Sequence, residues 1–252
     1  MKNQVFAGLI CLLTSCSAVF PVVFIPEKIT SDVYGYLFKQ PDSHKTVLFL
    51  PGASGYDEAY SNIARQFQVD GWNTLILDYY RNGLDIPGKS VFSGSAEDYK
   101  QWKLNARNAV DYLIQNNYAT ADSLVIFGFS RGASIAFAVG NADQRVAAIV
   151  SYYGDMDVTE TDSAETVDLA VKNLPPVLLI QGKEDRIVPI KRTHFMVGEL
   201  KKRNKEVKTL FLDKMKHAFI LDNSDEHCKE ATAQSVKVVK DFLAGHSLVQ
   251  NP

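Results

Sequence analysis

The sequence GFSRG at residues 128–132 has the residue types and spacing of a nucleophilic serine site, with Ser130 at its centre. It directly follows an apolar run and directly precedes small residues with a helical pattern, which predicts a strand, a sharp turn and a helix. Such a turn lifts the serine hydroxyl off the sheet, and the start of the helix points free N–H groups at it. The alternative is a glycine-rich turn with an inert serine, because the pattern alone also arises by chance.

A serine hydroxyl is a weak nucleophile unless a base takes its proton and an acid orients that base. Asp185 and His217 can supply these groups, because each follows an apolar run and the chain order is Ser, Asp, His. Asp185 lies three residues after Gly182, and Glu184 is the competing acid. A loop histidine is usually only solvated, but His217 follows the last apolar run of strand type by five residues. The other histidines lack this placement: His44, His194, His227 and His246.

The oxyanion that develops during attack on a carbonyl needs two N–H donors. The first is expected to be the backbone N–H of Arg131, the residue after the nucleophile. The second is expected on the loop after residues 46–50, where Ala53 is the candidate because Gly52 lets the chain turn toward the substrate. The alternative for this loop is a plain glycine-rich turn.

These candidates all follow apolar runs, and helical patterns separate most of the runs. The predicted strands are residues 33–39, 46–50, 74–77, 124–127, 146–152, 177–180 and 207–212. The predicted helices are residues 58–70, 96–116, 132–139, 191–203 and 229–243. This order predicts an α/β fold with a mostly parallel central sheet, helices on both faces and residues 33–39 as an antiparallel edge strand. Ligands of such sheets bind beyond the carboxyl ends of the strands, where the candidate residues lie.

Composition places the chain among ordinary globular proteins, with 252 residues, 46% hydrophobic and 22% charged. We expect a single α/β domain over residues 31–247. The net charge of −2 gives no reason to expect a nucleic acid as a partner. Three cysteines, Cys11, Cys16 and Cys228, predict no disulfide framework, and no metal-binding motif occurs in the sequence.

The N-terminus has the pattern of an export signal at residues 1–18, followed by a segment at residues 19–30. Lys2 precedes a short apolar run, and Glu27 is the next charged residue. The sequence LTSC at residues 13–16 resembles the lipobox of bacterial lipoproteins, in which the cysteine is lipidated, although Thr14 departs from the usual small residue. We therefore expect lipidation of Cys16, membrane attachment and a place in the bacterial cell envelope. The alternatives are cleavage near Ala18, which leaves a secreted or periplasmic protein, and an uncleaved apolar tail.

Taken together, GFSRG, the Gly-x-x-Asp-x-x-x-Pro loop from Gly182 to Pro189 and the loop from His217 to Phe219 resemble the dienelactone hydrolase branch of the α/β-hydrolase superfamily. The likeness covers about residues 31–243 and includes YGYL at 34–37 and DYYR at 78–81. It implies an ester or lactone hydrolase without a metal or organic cofactor, and it makes Tyr80 and Arg81 candidate substrate-binding residues. A surface role in capping a loop is the alternative for Arg81.

Two departures from that family bear on the substrate. Family members that act on dienelactone usually have a cysteine nucleophile, and many have a histidine or a glutamate in the first oxyanion loop. Here the nucleophile is Ser130 and the loop reads LPGA at residues 50–53. We therefore expect cleavage of small carboxylic esters through an acyl-enzyme. An acyltransferase or a serine peptidase with the same triad is the first alternative, and a non-catalytic binding protein on the same fold is the second.

Overall fold

The structure is a computed structural model and describes residues 27–31, 33–80 and 94–246. The predicted signal with Cys16, most of the segment at residues 19–30, and Arg81 lie outside the described residues. None of the described helices is both long and apolar enough to cross a membrane.

Eight strands of the described chain form one sheet. They are β1 (Glu27–Lys28), β2 (Tyr34–Phe38), β3 (Thr46–Leu50), β4 (Asn73–Asp78), β5 (Leu124–Phe129), β6 (Val146–Tyr152), β7 (Val177–Gly182) and β8 (Val207–Leu212). Their order across the sheet is β1-β2-β4-β3-β5-β6-β7-β8. β1 and β2 run antiparallel to their neighbours, and the pairs from β4 to β8 are parallel. This confirms the mostly parallel sheet that the sequence predicts.

The edge of the sheet differs from the prediction. The sequence predicts residues 33–39 as the edge strand, but β1 pairs with β2 on its outer side through Glu27 and Lys28. A strand of two residues has no apolar periodicity, so the sequence could not reveal it.

Six α-helices and one short 3-10 turn complete the described fold. The helices are α1 (Glu58–Val69), α2 (Ala96–Gln115), α3 (Arg131–Ala142), α4 (Ala164–Val171), α5 (Ile190–Lys202) and α6 (Glu226–Gly245), and the turn is Phe219–Leu221. The helices lie on both faces of the sheet. Neighbouring residues of a strand point to opposite faces, so each strand contributes to the core on both sides. Leu48 and Leu50 of β3 join the core beneath α2 and α3, whereas Val47 and Phe49 join the core beneath α1 and α6.

The start of α3, like that of α5, has no side-chain cap, whereas α1, α2, α4 and α6 are capped. Asp57, Ser95 and Asp225 cap α1, α2 and α6 with side-chain hydrogen bonds to backbone N–H groups. The residue at the same position of α3 is Ser130, and its side chain makes no such bond. The first N–H groups of α3 therefore have no side-chain cap at the end of the sheet where the candidate residues lie.

Candidate active site

Ser130 lies on a tight turn between β5 and α3, in a backbone conformation that is unusual for a residue with a side chain. Its φ is 53° and its ψ is −118°, and strain of this kind persists only where the surrounding structure enforces it. The two glycines of GFSRG explain how the turn fits. A Cβ at Gly128 would lie 2.4 Å from the Cα of Ala133, and one at Gly132 would lie 2.0 Å from the carbonyl oxygen of Leu50. Both positions therefore require glycine.

The structure brings Ser130, His217 and Asp185 together, although they follow three different strands. The Nε2 atom of His217 lies 2.9 Å from the Oγ of Ser130, and its Nδ1 atom lies 2.7 Å from Oδ2 of Asp185. Ala218 directly follows the histidine in a left-handed conformation, with φ at 59°, and the turn Phe219–Leu221 begins there. The loop after β8 thus folds back so that the imidazole bridges the hydroxyl and the carboxylate.

Asp185 is held by a full set of donors. Its Oδ1 accepts the N–H groups of Ile187 and Val188 at 2.8 and 2.9 Å, and its Oδ2 accepts the side-chain amide of Gln181 at 3.0 Å in addition to His217. Burial alone would raise the pKa of this carboxyl, but the hydrogen bonds from His217 and the backbone outweigh burial and lower the pKa below its ordinary value.

The rival acid does not reach the histidine. Glu184 is exposed, and its backbone N–H donates to the carbonyl of Met215. The loop after β7 also passes close to Met215 at Gly182, where a Cβ would lie 2.3 Å from the carbonyl oxygen of Met215. This position therefore requires glycine. Of the two acids that the sequence offers, Asp185 is the one that hydrogen-bonds His217 in the described structure.

The two expected oxyanion donors lie on segments that contact each other. Arg131 is the first residue of α3, so its N–H has no acceptor within the helix. Ala53 is half-buried on the loop after β3 and directly follows Gly52. A Cβ at Gly52 would lie 3.3 Å from both the carbonyl oxygen of Phe129 and the Cβ of Ser130, so this loop abuts the serine turn.

Tyr80 lies in an aromatic cluster beside the serine turn. Its ring packs edge-on against Trp102 at 4.9 Å, and its hydroxyl lies 2.7 Å from that of Tyr79. The guanidinium of Arg131 lies 5.4 Å from the ring of Trp102 and 5.6 Å from that of Tyr99. Tyr80 therefore has structural partners on the described chain, and its contact with substrate stays a prediction.

One residue of this region was missed in the sequence. Tyr153 follows β6, and its ring packs edge-on against the imidazole of His217 at 5.0 Å. Its φ is 40°, and the next residue, Gly154, leaves no room for a Cβ, which would lie 2.1 Å from the Cβ of Ala133. An aromatic residue after an apolar strand reads as core, so the sequence holds no signal for this placement.

A cavity of about 320 Å³ opens beside the imidazole. It is lined by Glu184, Arg186, Ile187, Lys216 and His217. Three of these five residues are charged at neutral pH, and Ile187 is exposed. The wall of the space next to the histidine thus combines three charged side chains with the apolar side chain of Ile187.

Comparison with known proteins connects this geometry to a family. The model of the "Dienelactone hydrolase family" matches residues 33–247. Protein bem46 of Schizosaccharomyces pombe is 27% identical over an alignment of 185 residues, and the match covers 65% of this chain and 59% of that protein. The match therefore spans less than two thirds of the length of that relative.

Solved structures share the fold at low identity. A dienelactone hydrolase-like promiscuous phosphotriesterase, P91 from metagenomic libraries, superimposes with a TM-score of 0.65 at 16% identity, over 86% of this chain and 96% of that one. Esterase 2 of Thermogutta terrifontis, phosphoramylated by tabun, gives 0.72 at 13% identity, over 91% and 97%. A sugar hydrolase (YeeB) of Lactococcus lactis gives 0.69 at 15% identity, over 88% and 97%.

Proposed function

Because this chain belongs to the dienelactone hydrolase family and is thus a hydrolase, we propose that it cleaves carboxylic esters through an acyl-enzyme on Ser130. The observation that carries the proposal is the continuous hydrogen-bonded chain from Asp185 through His217 to Ser130, with links of 2.7 and 2.9 Å. This is the geometry that activates a serine hydroxyl for acyl transfer.

In the proposed reaction, the Oγ of Ser130 attacks the acyl carbon while Nε2 of His217 takes the hydroxyl proton. Asp185 accepts the hydrogen bond from Nδ1 and stabilises the imidazolium. The backbone N–H groups of Ala53 and Arg131 donate to the oxyanion of the tetrahedral intermediate. The C–O bond of the ester then breaks, and the alcohol leaves with the proton from Nε2. A water molecule, deprotonated by His217, attacks the acyl-enzyme and releases the acid and the free serine.

We propose compact, short-chain esters as the substrates. The cavity beside His217 has Glu184, Arg186 and Lys216 in its wall, and these side chains would lose hydration against a long alkyl chain. The segment between β6 and α4 carries Asp155 and Glu160, and it is tied to α5 and so is a poor candidate for an apolar lid. Arg192 of α5 forms ion pairs with Asp155 at 2.8 Å and with Glu160 at 3.0 Å.

We also propose that the protein is exported and anchored to the bacterial cell envelope by lipid on Cys16. The support is the signal-like pattern at residues 1–18 and the LTSC segment. More than one acyl chain would be needed for stable attachment, since a single chain binds a membrane only weakly.

The experiment for the proposed function is the hydrolysis of p-nitrophenyl acetate by purified variants. Ser130→Ala and His217→Ala remove the nucleophile and the base, and we expect kcat to fall by about 10⁴ to 10⁶. Asp185→Asn is expected to be severely impaired as well. The matched control is Glu184→Gln, which changes the neighbouring exposed acid and is expected to leave kcat nearly normal.

Two results would contradict the proposal. If Ser130→Ala kept more than about a tenth of the wild-type activity, Ser130 would not be the nucleophile. If an alcohol added at only millimolar concentration captured most of the acyl group in competition with water, the enzyme would be an acyltransferase that uses the same residues.

A further inference from the structure

Two buried tyrosines hold one peptide group of the loop after β3 from both of its ends. The hydroxyl of Tyr79 donates to the carbonyl oxygen of Pro51 at 2.6 Å. The N–H of Gly52 donates to the hydroxyl oxygen of Tyr60 at 3.2 Å. The carbonyl of Pro51 and the N–H of Gly52 belong to the same planar peptide group. Rotation of this peptide would therefore break both hydrogen bonds at once.

The two hydroxyls are suited to a permanent role of this kind. Tyr60 is 1% exposed and Tyr79 is 0% exposed, so neither can exchange its partner for bulk water. Burial raises the pKa of both phenols well above the ordinary value, so both remain neutral over the pH range in which proteins are stable. Tyr60 belongs to α1 and Tyr79 directly follows β4, so the loop is tied to two rigid elements.

The next peptide group of the loop is also fixed. The carbonyl of Gly52 accepts the N–H of Gly55 at 2.9 Å. In a trans peptide the N–H points opposite to the carbonyl, so the N–H of Ala53 points away from the turn that Gly55 closes. Gly52 itself abuts the nucleophile, since a Cβ there would lie 3.3 Å from the Cβ of Ser130. Three hydrogen bonds thus orient the Ala53 donor beside the serine.

The contacts of Tyr79 continue to the second expected donor. Besides its contact with the carbonyl of Pro51, the hydroxyl of Tyr79 lies 2.7 Å from the hydroxyl of Tyr80. The guanidinium of Arg131 in turn hydrogen-bonds the hydroxyl of Tyr80. The side chain of Asn105 donates to the backbone carbonyl of Tyr79 at 2.9 Å and fixes the tyrosine. The loop of Ala53 and the residue that offers the other N–H are therefore linked by side chains.

We propose that Tyr60 and Tyr79 are positioning residues that orient the peptide between Pro51 and Gly52 and so aim the N–H of Ala53 at the oxyanion. The inference rests on the proposed function, because it assigns a task in stabilising the tetrahedral intermediate. Neither tyrosine touches the substrate. Each acts through the backbone of the loop.

The test compares Tyr60→Phe and Tyr79→Phe, each of which removes one hydroxyl and keeps the ring. We expect kcat for p-nitrophenyl acetate to fall about 10-fold in each, less than the loss of a donor itself, which costs about 10² to 10³. KM is expected to stay within about twofold, since the oxyanion forms only after binding. The inhibition constant of a trifluoromethyl ketone, which forms a tetrahedral oxyanion adduct with the serine, is expected to rise by a similar factor.

Tyr152→Phe is the matched control. Its hydroxyl is also buried, but its partner is the hydroxyl of Ser235 in α6, at 3.2 Å, and not a backbone group of the Ala53 loop. This variant is expected to keep kcat, KM and the affinity for the ketone. We call the pair of Tyr60 and Tyr79 the clamp. Testing a variant of each tyrosine keeps the test valid if one variant fails to fold, because the other removes a contact of the same peptide group.

Two outcomes would overturn the inference. One is an unchanged kcat and an unchanged ketone affinity in a folded Tyr60→Phe or Tyr79→Phe variant. The other is a lower melting temperature with an unchanged ketone affinity, which would reveal a purely structural role. Ser130→Ala separates this failure from that of the proposed function. If Ser130→Ala is inactive while both tyrosine variants are normal, only the clamp is wrong.

Discussion

At the scale of single residues, Tyr153 joins backbone strain to an unsatisfied polar group. It is 1% exposed, its φ is 40°, and its hydroxyl has no hydrogen-bond partner within the described part of the chain. Its ring nevertheless contacts both His217 and Phe219, at 5.0 and 5.6 Å. A strained backbone or an unsatisfied buried group persists only where other contacts of the same residue compensate for its cost in free energy. Here the compensating contact is the packing of the Tyr153 ring against the imidazole of His217.

We therefore expect Tyr153→Phe to raise the free energy of unfolding by about 1 kcal/mol, because it removes a buried hydroxyl without a partner. Activity should be kept, since the ring that supports His217 remains. Urea denaturation measures the first quantity and ester hydrolysis the second. Tyr152→Phe is the control and should lose about 1 kcal/mol, since its hydroxyl has Ser235 as a partner. A loss of stability in Tyr153→Phe would show that its hydroxyl has a partner after all.

The lowered pKa of Asp185 makes its contribution to stability depend on pH. Burial opposes the charged form, but the hydrogen bonds from His217 and the backbone outweigh it, so the folded-state pKa lies below the unfolded value of about 3.9. Such a group stabilises the fold above about pH 4, and the contribution is lost as the pH falls through the folded-state pKa.

The stability difference between the wild type and Asp185→Asn should therefore be largest near neutral pH. We expect it to shrink as the pH is lowered from about 5 to about 2, as measured by urea denaturation at each pH. Glu184→Gln should stay within about 0.5 kcal/mol of the wild type throughout, because its side chain is exposed. A difference for Asp185→Asn that grew toward low pH would contradict the assignment.

At the scale of elements, the sequence predicts β2 to β8 to within two residues and the long helices to within three, and it misses β1. Their apolar residues recur with clear periods, and the triad candidates follow strand ends, so both could be located from the sequence. The clamp formed by Tyr60 and Tyr79 could not be predicted. Its contacts join Pro51 to a residue 28 positions away, and a tyrosine on a helix face or after a strand looks like ordinary core.

Two glycines in different helices should respond oppositely to the same substitution. In α3, a Cβ at Gly132 would meet the carbonyl oxygen of Leu50 at 2.0 Å, so we expect Gly132→Ala to cost about 3 kcal/mol and to abolish activity. In α5, a Cβ at Gly198 would meet no atom within 4 Å. Gly198→Ala should raise the free energy of unfolding by about 0.5–1 kcal/mol and leave activity unchanged. A stable, active Gly132→Ala variant would contradict this account of the serine turn.

At the scale of the whole molecule, the surface around the site bears on substrate size. Arg192 holds Asp155 and Glu160 against α5, and charged side chains line the cavity beside His217. In a panel of p-nitrophenyl esters with increasing acyl length, we expect kcat/KM to peak at short chains. Ser130→Ala serves as the blank. A rise that continued beyond about ten carbons would refute the expectation, since each buried CH₂ would then contribute up to about 0.8 kcal/mol.

The proposed attachment to the envelope concerns residues outside the described structure. Mass spectrometry of the mature protein should find Cys16 at the N-terminus with covalent lipid, and Cys16→Ser should release the protein into the soluble fraction. An unmodified terminus at Ala18 or Val19 would contradict lipidation and would favour a secreted or periplasmic form.

The route by which the triad is assembled has a consequence for refolding. Ser130 and His217 are 87 residues apart, and the histidine follows β8, the last strand, at the far edge of the sheet. Contacts of such sequence separation close slowly, because much chain entropy is lost before they form. A chain that has paired only β3 to β6 would hold Ser130, the proposed nucleophile, without His217, its proposed base. Recovery of activity after dilution from denaturant therefore reports when β8 docks. It should be slower than the recovery of spectroscopic signals that report the pairing of the central strands.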